Sequence, residues 1–352
     1  MLFGYPVAAT QFNWLHDCIC DAVKTIHALV DMVDVYPDWP GVLPERYRAG
    51  LARRTGLRDR LKAYDRAIRH LTPSERSSVL DALESENLIA DLVSGARECA
   101  KMNELPAGIR ESVKKLFESA FDLLTDTGSR DEHYAIIVDQ IPARVCPFCG
   151  IYPLSSAGGP REDLDHYLAR SIYPFASANL RNLVPMCHSC NTGYKQAADI
   201  LRDAMGVRRH AFDPYDAVGV DISLDQSSPF SSDGDSSPRW EVGFVPETPE
   251  VRTWDEVFRV RERIRRDVLE PDYNRWLRDF RKWVLCLGRS VETQSEVRSV
   301  LADYQDYVSS FGLSDRAFLR AAAFKMLLCH LDSGNQRLLA FLRVLLQPTM
   351  TS

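Results

Sequence analysis

The sequence lacks any long apolar run and any basic segment ahead of an apolar one at its start. A membrane-spanning helix needs roughly 20 apolar residues, and no stretch approaches that length. The opening residues, MLFGYPVAAT, contain no lysine or arginine, whereas a secretion signal begins with a basic region. We therefore expect no membrane segment and no secretion signal, and a cytoplasmic location as the default.

The chain also lacks an excess of basic charge. Its 43 lysines and arginines are outnumbered by 49 acidic residues, which gives a net charge of −6. This balance excludes a surface that binds nucleic acid indiscriminately, although a local basic surface is compatible with it. With 352 residues and 45% hydrophobic residues, the chain is long enough for two or three globular domains.

An odd number of cysteines, nine, argues against a complete disulfide framework. Four of them form two C-x-x-C pairs, Cys146 with Cys149 and Cys187 with Cys190. Two such pairs predict a tetrahedral four-sulfur site for structural Zn²⁺, and four thiolates leave no open position for catalysis by that ion. Four buried thiols without metal are the alternative, which the double spacing disfavours. The other cysteines are interpreted as core thiols: Cys18, Cys20, Cys99, Cys286 and Cys329.

Apolar spacing predicts a mainly α-helical protein with a small central α+β module. Residues 1–130 form an N-terminal helical region, in which Leu57, Leu61, Tyr64 and Ile68 mark one buried helix face. Thr72-Pro-Ser-Glu75 predicts a helix start with a capping box. Residues 131–216 lose the helical periodicity and form the central module. Residues 217–252 read as a loop-rich linker with a short strand near Trp240 to Val245, and residues 253–352 form a C-terminal helical region.

Side chains suited to hydrolysis concentrate in the central module. Asp165 and His166 lie between the cysteine pairs, Asn182 shortly before the second pair, and Asn191 directly after it. An imidazole can accept a proton from water near neutral pH, and carboxylate and amide oxygens suit Mg²⁺ or Mn²⁺. Adjacent residues on a strand point to opposite faces, so Asp165 and His166 can serve one site only where a strand ends or twists.

The string LDHYLARS from Leu164, then NLVPMCHSCN from Asn182, then Lys195, resembles the HNH endonuclease family. Its zinc-bearing members flank the motif with two C-x-x-C pairs, and the segment FDPYD from Phe212 is similar to an aromatic segment that follows the motif in many members. The resemblance covers about 75 of the 352 residues. It implies a ββα-metal HNH nuclease core with a zinc knuckle site, and phosphodiester hydrolysis.

Roles for individual residues follow from this resemblance. It implies that His166 is the general base, that Asp165 and Asn191 hold a catalytic Mg²⁺ or Mn²⁺, and that Asn182 fixes His166 by a hydrogen bond. The last catalytic position is Asn191 rather than histidine, which favours an oxygen-preferring ion. Where many relatives carry histidine, this chain has Asp213, to which we assign no catalytic role.

Phosphate contacts are expected from Lys195, one helical turn beyond Asn191, and from Arg170, where relatives often carry lysine. A second basic cluster lies between Glu45 and His70. It predicts a phosphate-binding surface through Arg53, Arg54 and Arg58, with a solvated helix face as the alternative.

The leading hypothesis is an endonuclease that acts on DNA, with RNA left open. Resemblance to bacterial anti-phage and restriction-type effectors implies a defence role and leaves room for a partner protein. Two alternatives remain, a non-catalytic zinc-ribbon module that binds nucleic acid or protein, and a metal-dependent RNase toxin. Oligomeric state cannot be derived from the sequence.

Overall fold

The computed structural model describes residues 1–32, 38–156, 158, 164–231 and 237–347. The chain forms two compact units. The N-terminal unit comprises Gly4–Pro142 and Leu154–Val218, and the C-terminal unit comprises Met1–Phe3, Ala143–Pro153 and Gly219–Ser352. These units group the chain differently from the four sequence segments, because the first helices and most of the central module belong to one unit.

The N-terminal unit is mainly helical. Its strands β1 and β2 span Leu164–His166 and Leu183–Pro185, and a π-helical segment covers Ser189–Lys195. Short 3₁₀ turns lie at Val7–Thr10, Met102–Glu104, Pro174–Ala176 and Leu180–Asn182. The α-helices are α1 Trp14–Leu29, α2 Glu45–Leu51, α3 Thr55–Arg69, α4 Pro73–Glu86, α5 Ile89–Val93, α6 Ala107–Asp126 and α7 Ser129–Gln140.

Helices α3 and α4 follow directly from the sequence pattern. The apolar face of α3, with Leu57, Leu61, Tyr64 and Ile68, is buried in the unit's core as predicted. Helix α4 begins with the predicted capping box, in which the Glu75 N–H donates to Thr72 Oγ1 at 3.3 Å and the Thr72 N–H donates to Glu75 Oε2 at 2.9 Å. The capping box thereby pairs two backbone N–H groups, those of Thr72 and Glu75, that have no partner within the helix.

Strands β1 and β2 form a short antiparallel pair in the same unit. Asp165 lies opposite Val184, and His166 lies opposite Leu183. Both strands are buried along their whole length. The pair places the end of β1 that carries Asp165 and His166 beside the segment that leads to the second cysteine pair.

The C-terminal unit contains the antiparallel strands β3 Asp221–Ser223 and β4 Gly243–Val245. Thus the predicted short strand exists within the 217–252 segment, of which residues 232–236 lie outside the described part. A π-helical segment covers Arg265–Leu269 and a 3₁₀ turn Ser314–Arg316. The α-helices are α8 Pro249–Phe258, α9 Val260–Ile264, α10 Glu270–Leu287, α11 Gln294–Ser309, α12 Ala317–Asp332 and α13 Gln336–Leu346.

Two of the five cysteines predicted as core thiols are not in a core. Cys18 is buried and Cys20 and Cys99 are half-buried, but Cys286 and Cys329 are exposed. Both of these lie on helices whose opposite face carries the buried positions. The apolar residues around each cysteine in the sequence therefore did not reveal that its side chain faces solvent. Among the described residues, no helix combines the length and the apolar character that crossing a membrane would require.

Candidate active site and cysteine cluster

A cleft of about 400 Å³ in the N-terminal unit brings three of the four predicted catalytic residues together. Strand β1 ends at His166, and this end lets Asp165 and His166 line the same cleft despite being adjacent in the chain. Asn191 reaches the cleft from the π-helical segment. The constraint that a strand must end or twist at Asp165-His166 is therefore met.

His166 is held as a neutral ring with a defined tautomer. Its Nε2 lies 3.0 Å from the Ser177 carbonyl oxygen. Because a carbonyl oxygen only accepts, Nε2 carries the hydrogen and Nδ1 carries the lone pair. The ring packs 4.5 Å from the Phe121 ring, centroid to centroid. Burial, followed by the nearby Arg170 charge, lowers the pKa of His166 to about 3, which leaves the ring neutral.

Lys195 is the ionic partner of Asp165. Its Nζ lies 2.7 Å from Asp165 Oδ2 and donates to the His166 carbonyl oxygen at 2.7 Å. The lysine side chain is fully buried. The phosphate contact predicted for Lys195 is thus not what the structure shows, because the buried ammonium already pairs with the carboxylate and fastens the π-helical segment to β1.

Asn182 also has partners other than the one predicted. Its side-chain oxygen accepts from the Leu168 N–H at 2.7 Å, and its Nδ2 donates to the carbonyl oxygens of Leu168 at 3.1 Å and Ala176 at 3.2 Å. The predicted hydrogen bond to His166 is replaced by the Ser177 carbonyl. Asn182 therefore fixes the loop that follows β1 and the turn next to Ser177, and acts on His166 only through them.

The remaining predicted cation, Arg170, is exposed and lines the cleft. Arg53 is exposed on the other basic cluster, whereas Arg54 pairs with Asp126 at 2.7 Å and Arg58 with Asp59 at 2.9 Å. Such solvent-exposed pairs contribute little free energy and are easily exchanged for other partners. None of these three arginines lines the described cleft.

The segment FDPYD has a structural place beside the strand pair. The Tyr215 hydroxyl lies 2.9 Å from His133 Nε2 and also donates to the Leu183 carbonyl of β2. Asp213 pairs with Arg181. Both Tyr215 and Asp213 therefore have partners within the N-terminal unit.

The four predicted cysteines form a compact cluster that could hold a metal ion such as zinc. Cys146, Cys149, Cys187 and Cys190 are all buried, and their ligand atoms lie within 4.8 Å of one another. Tetrahedral coordination with Zn–S distances of about 2.3 Å places two sulfurs about 3.8 Å apart. Four thiols within 4.8 Å of one another are therefore close enough to converge on one ion after small side-chain adjustments.

The first cysteine pair has the local geometry of a metal-binding turn. The Ile151 N–H donates to Cys149 Sγ at 3.4 Å, a bond that favours the thiolate. Gly150 has a φ of +67°, which side-chain-bearing residues rarely adopt. A Cβ at this position would collide with Leu2 and Phe318. The turn directly after the first cysteine pair thus requires glycine.

Comparison of the chain with protein-family models, with curated proteins and with solved structures yields no match.

The cleft lining also includes Phe121 and Arg130, which no pattern in the sequence marked as site residues. Phe121 comes from α6, and Arg130 is the second residue of α7. The Arg130 guanidinium carbon lies 4.7 Å from the Phe121 ring centroid. Both precede the cysteine pairs in the chain, in a region assigned to a separate helical segment, and a single phenylalanine or arginine on a helix carries no motif.

Replacing Asn182 with alanine is expected to destabilise the N-terminal unit by about 3 kcal/mol, because each buried group left without its hydrogen bond costs about 1–3 kcal/mol. Asn191→Ala provides the matched control, since Asn191 is half-buried at the cleft. Denaturant unfolding monitored by circular dichroism would compare the two variants. Equal unfolding free energies for both would contradict the structural role assigned to Asn182.

Proposed function

We propose that this protein is a metal-dependent endonuclease of the HNH type that hydrolyses phosphodiester bonds. The observation that carries the proposal is the cleft lined jointly by Asp165, His166 and Asn191. A neutral imidazole with a free lone-pair nitrogen, a carboxylate and an amide around one opening are the groups that metal-assisted hydrolysis requires. A structural zinc site formed by four cysteines does not require an imidazole, a carboxylate and an amide around a separate cleft.

The backbone around the cleft supports a ββα-metal core. Two antiparallel strands, β1 and β2, are followed by the π-helical segment Ser189–Lys195, in the order that such a core has. The base and the carboxylate lie at the end of the first strand, and the amide lies on the helical segment. This order supports the proposed HNH-type arrangement of the three groups.

In the proposed reaction, His166 takes a proton from the attacking water through Nδ1, while the Ser177 carbonyl holds Nε2–H and fixes the ring plane. Asp165 and Asn191 would hold Mg²⁺ or Mn²⁺, with Lys195 sharing the carboxylate. The bound ion would stabilise the negative charge that develops on the phosphate and the leaving oxygen. Two protein oxygens suffice for Mg²⁺, which keeps water ligands and takes others from substrate phosphate.

We further propose that the cysteine cluster holds one structural Zn²⁺. Four thiolates complete the tetrahedral coordination that zinc prefers, so no position is left for substrate. The convergence of all four buried sulfurs supports this assignment, because two C-x-x-C turns that meet at one point are the ligand arrangement of structural zinc sites. The zinc would therefore shape the segments that precede and follow the catalytic residues.

DNA is the proposed substrate, and the exposed basic residues support a polyanionic one. Arg170 lines the cleft, and Arg53, Arg54 and Arg58 provide a second basic surface in the same unit. Phosphate contacts of this kind act on the backbone and do not distinguish DNA from RNA.

The purified protein is expected to cleave supercoiled plasmid in Mg²⁺ or Mn²⁺ and to be inactive in EDTA. Parallel reactions with folded RNA separate a DNase from an RNase. His166→Ala prepared identically serves as the control for contaminating nuclease. Binding of nucleic acid without cleavage in either metal would favour the zinc-ribbon binding module, and cleavage restricted to RNA would favour the ribonuclease alternative.

A further inference from the structure

One side of the cleft lining is formed by an aromatic residue and two arginines, Phe121, Arg130 and Arg170. Of these, Phe121 and Arg130 belong to no sequence motif. The Phe121 ring contacts two arginines, with the guanidinium carbon of Arg130 at 4.7 Å and that of Arg170 at 5.9 Å from its centroid. Phe121 also contacts the His166 ring, at 4.5 Å between centroids. Both arginines are therefore one aromatic ring away from the proposed base, and all four residues line the cleft.

We propose that Arg130, together with Arg170, binds the backbone phosphate of the substrate in this cleft. The inference deepens the proposed function, on which it rests, by assigning the residue that holds the polynucleotide. A guanidinium presents a planar fork of N–H donors that matches two phosphate oxygens, which a lysine cannot reproduce.

The setting of Arg130 is suited to this task because its position is fixed. It belongs to the first turn of α7, and its Nη1 donates to Thr125 Oγ1 at 3.1 Å near the end of α6. Stacking on Phe121 adds a second restraint on the guanidinium plane. A guanidinium restrained at these two contacts loses little additional conformational entropy when it binds an anion.

Charge in the cleft favours the same ligand. Within the described part of the chain, the charged residues that line the cleft are Arg130, Arg170 and Asp165, and Asp165 pairs with Lys195 at 2.7 Å. Two guanidinium groups in one cleft attract phosphate and raise its local concentration. Glutamine at position 130 would remove the positive charge and the fork while keeping a polar side chain of similar length.

Arg130→Gln is the test variant, and Arg337→Gln is its matched control. Arg337 also stacks on a ring, 4.2 Å from the Phe230 centroid, but it lies in the C-terminal unit. Binding of a fluorescent DNA duplex is measured by anisotropy in EDTA over a series of salt concentrations, so that binding is read without turnover. Steady-state cleavage in Mg²⁺ then gives KM and kcat separately.

We expect Arg130→Gln to weaken duplex binding about tenfold and to reduce the slope of log affinity against log salt by about one, as loss of one phosphate contact does. Arg130→Lys, which keeps the charge without the fork, should fall between the parent and Arg130→Gln. In Mg²⁺, KM should rise with the loss of binding, and Arg337→Gln should match the parent throughout.

Parent-like binding and salt slope in Arg130→Gln, with a fall in kcat alone, would overturn the proposal and would make Arg130 a support for Phe121 and His166. A parent protein that binds no duplex would overturn it as well. If the parent binds with the predicted dependence on Arg130 but does not cleave in Mg²⁺ or Mn²⁺, the phosphate site stands and the nuclease proposal fails.

Discussion

His166→Ala is expected to lower the rate of phosphodiester cleavage by about 10²–10⁴-fold, the contribution that a positioned general base typically makes. The Nδ1 lone pair of His166 is the proton acceptor that the Ser177 contact leaves available at the cleft. Alanine removes that acceptor while touching none of the four cysteines. Single-turnover cleavage of a labelled duplex in saturating Mg²⁺ would measure the loss, with zinc content determined on the same preparations.

Two further variants separate chemistry from packing, because His166 is buried against Phe121 and its removal leaves a cavity. His166→Gln keeps an amide N–H that can reach the Ser177 carbonyl but has no basic nitrogen, so it should be as inactive as His166→Ala. His70→Ala removes an exposed histidine at the end of α3 and should cleave at the parent rate. Cleavage by His166→Gln at the parent rate would show that another group is the base.

Local patterns in the sequence predicted those parts of the fold that depend on short-range physics. The apolar face of α3 and the capping box at Thr72 depend on residues three and four positions apart, and both are present. The cysteine pairs predicted their own cluster because each C-x-x-C turn brings two sulfurs together before any tertiary packing forms. These elements need little information from the rest of the chain.

Where the sequence was less informative, the deciding interaction comes from distant residues. The type and order of Asp165, His166 and Asn182 were visible, but their partners were not. Lys195 lies thirty positions beyond Asp165, and its pairing depends on how the π-helical segment returns to β1. Phe121 and Arg130 reach the cleft from helices that share no motif with it. The sequence thus indicated which side chains share the cleft better than it indicated their hydrogen-bond and ion-pair partners.

Helix continuity in the C-terminal unit is a second case. The spacing of Val257, Val260, Ile264 and Val268 predicts one helix, whereas Arg259 adopts a φ of +52° and separates α8 from α9. Arginine rarely adopts this left-handed conformation, so no residue at the break marked it in the sequence. The Arg259 N–H still donates to the Asp255 carbonyl at 2.7 Å, and the break ends α8 with its last turn satisfied.

Metal in the cysteine cluster has consequences for stability that can be separated from catalysis. Binding of structural zinc contributes about 10–16 kcal/mol in small zinc domains, and this free energy is available only to the folded state. Catalytic Mg²⁺ would be held by Asp165 and Asn191 with water and phosphate, and exchanges readily. Brief EDTA treatment should therefore stop cleavage before it removes zinc.

Cys149→Ser is expected to reduce zinc content from about one ion per chain to a small fraction and to lower the thermal unfolding midpoint by about 10 °C or more, since losing several kcal/mol shifts the midpoint by a few degrees for each. Serine has similar volume but is a poor zinc ligand at neutral pH. Cys286→Ser, at an exposed cysteine outside the cluster, should keep the zinc and the midpoint. Elemental analysis and thermal unfolding would be measured on the same samples. If parent protein without zinc unfolded at the same midpoint as zinc-bound parent protein, a structural role for the ion would be refuted. A ligand that binds only the folded state must raise the stability of that state.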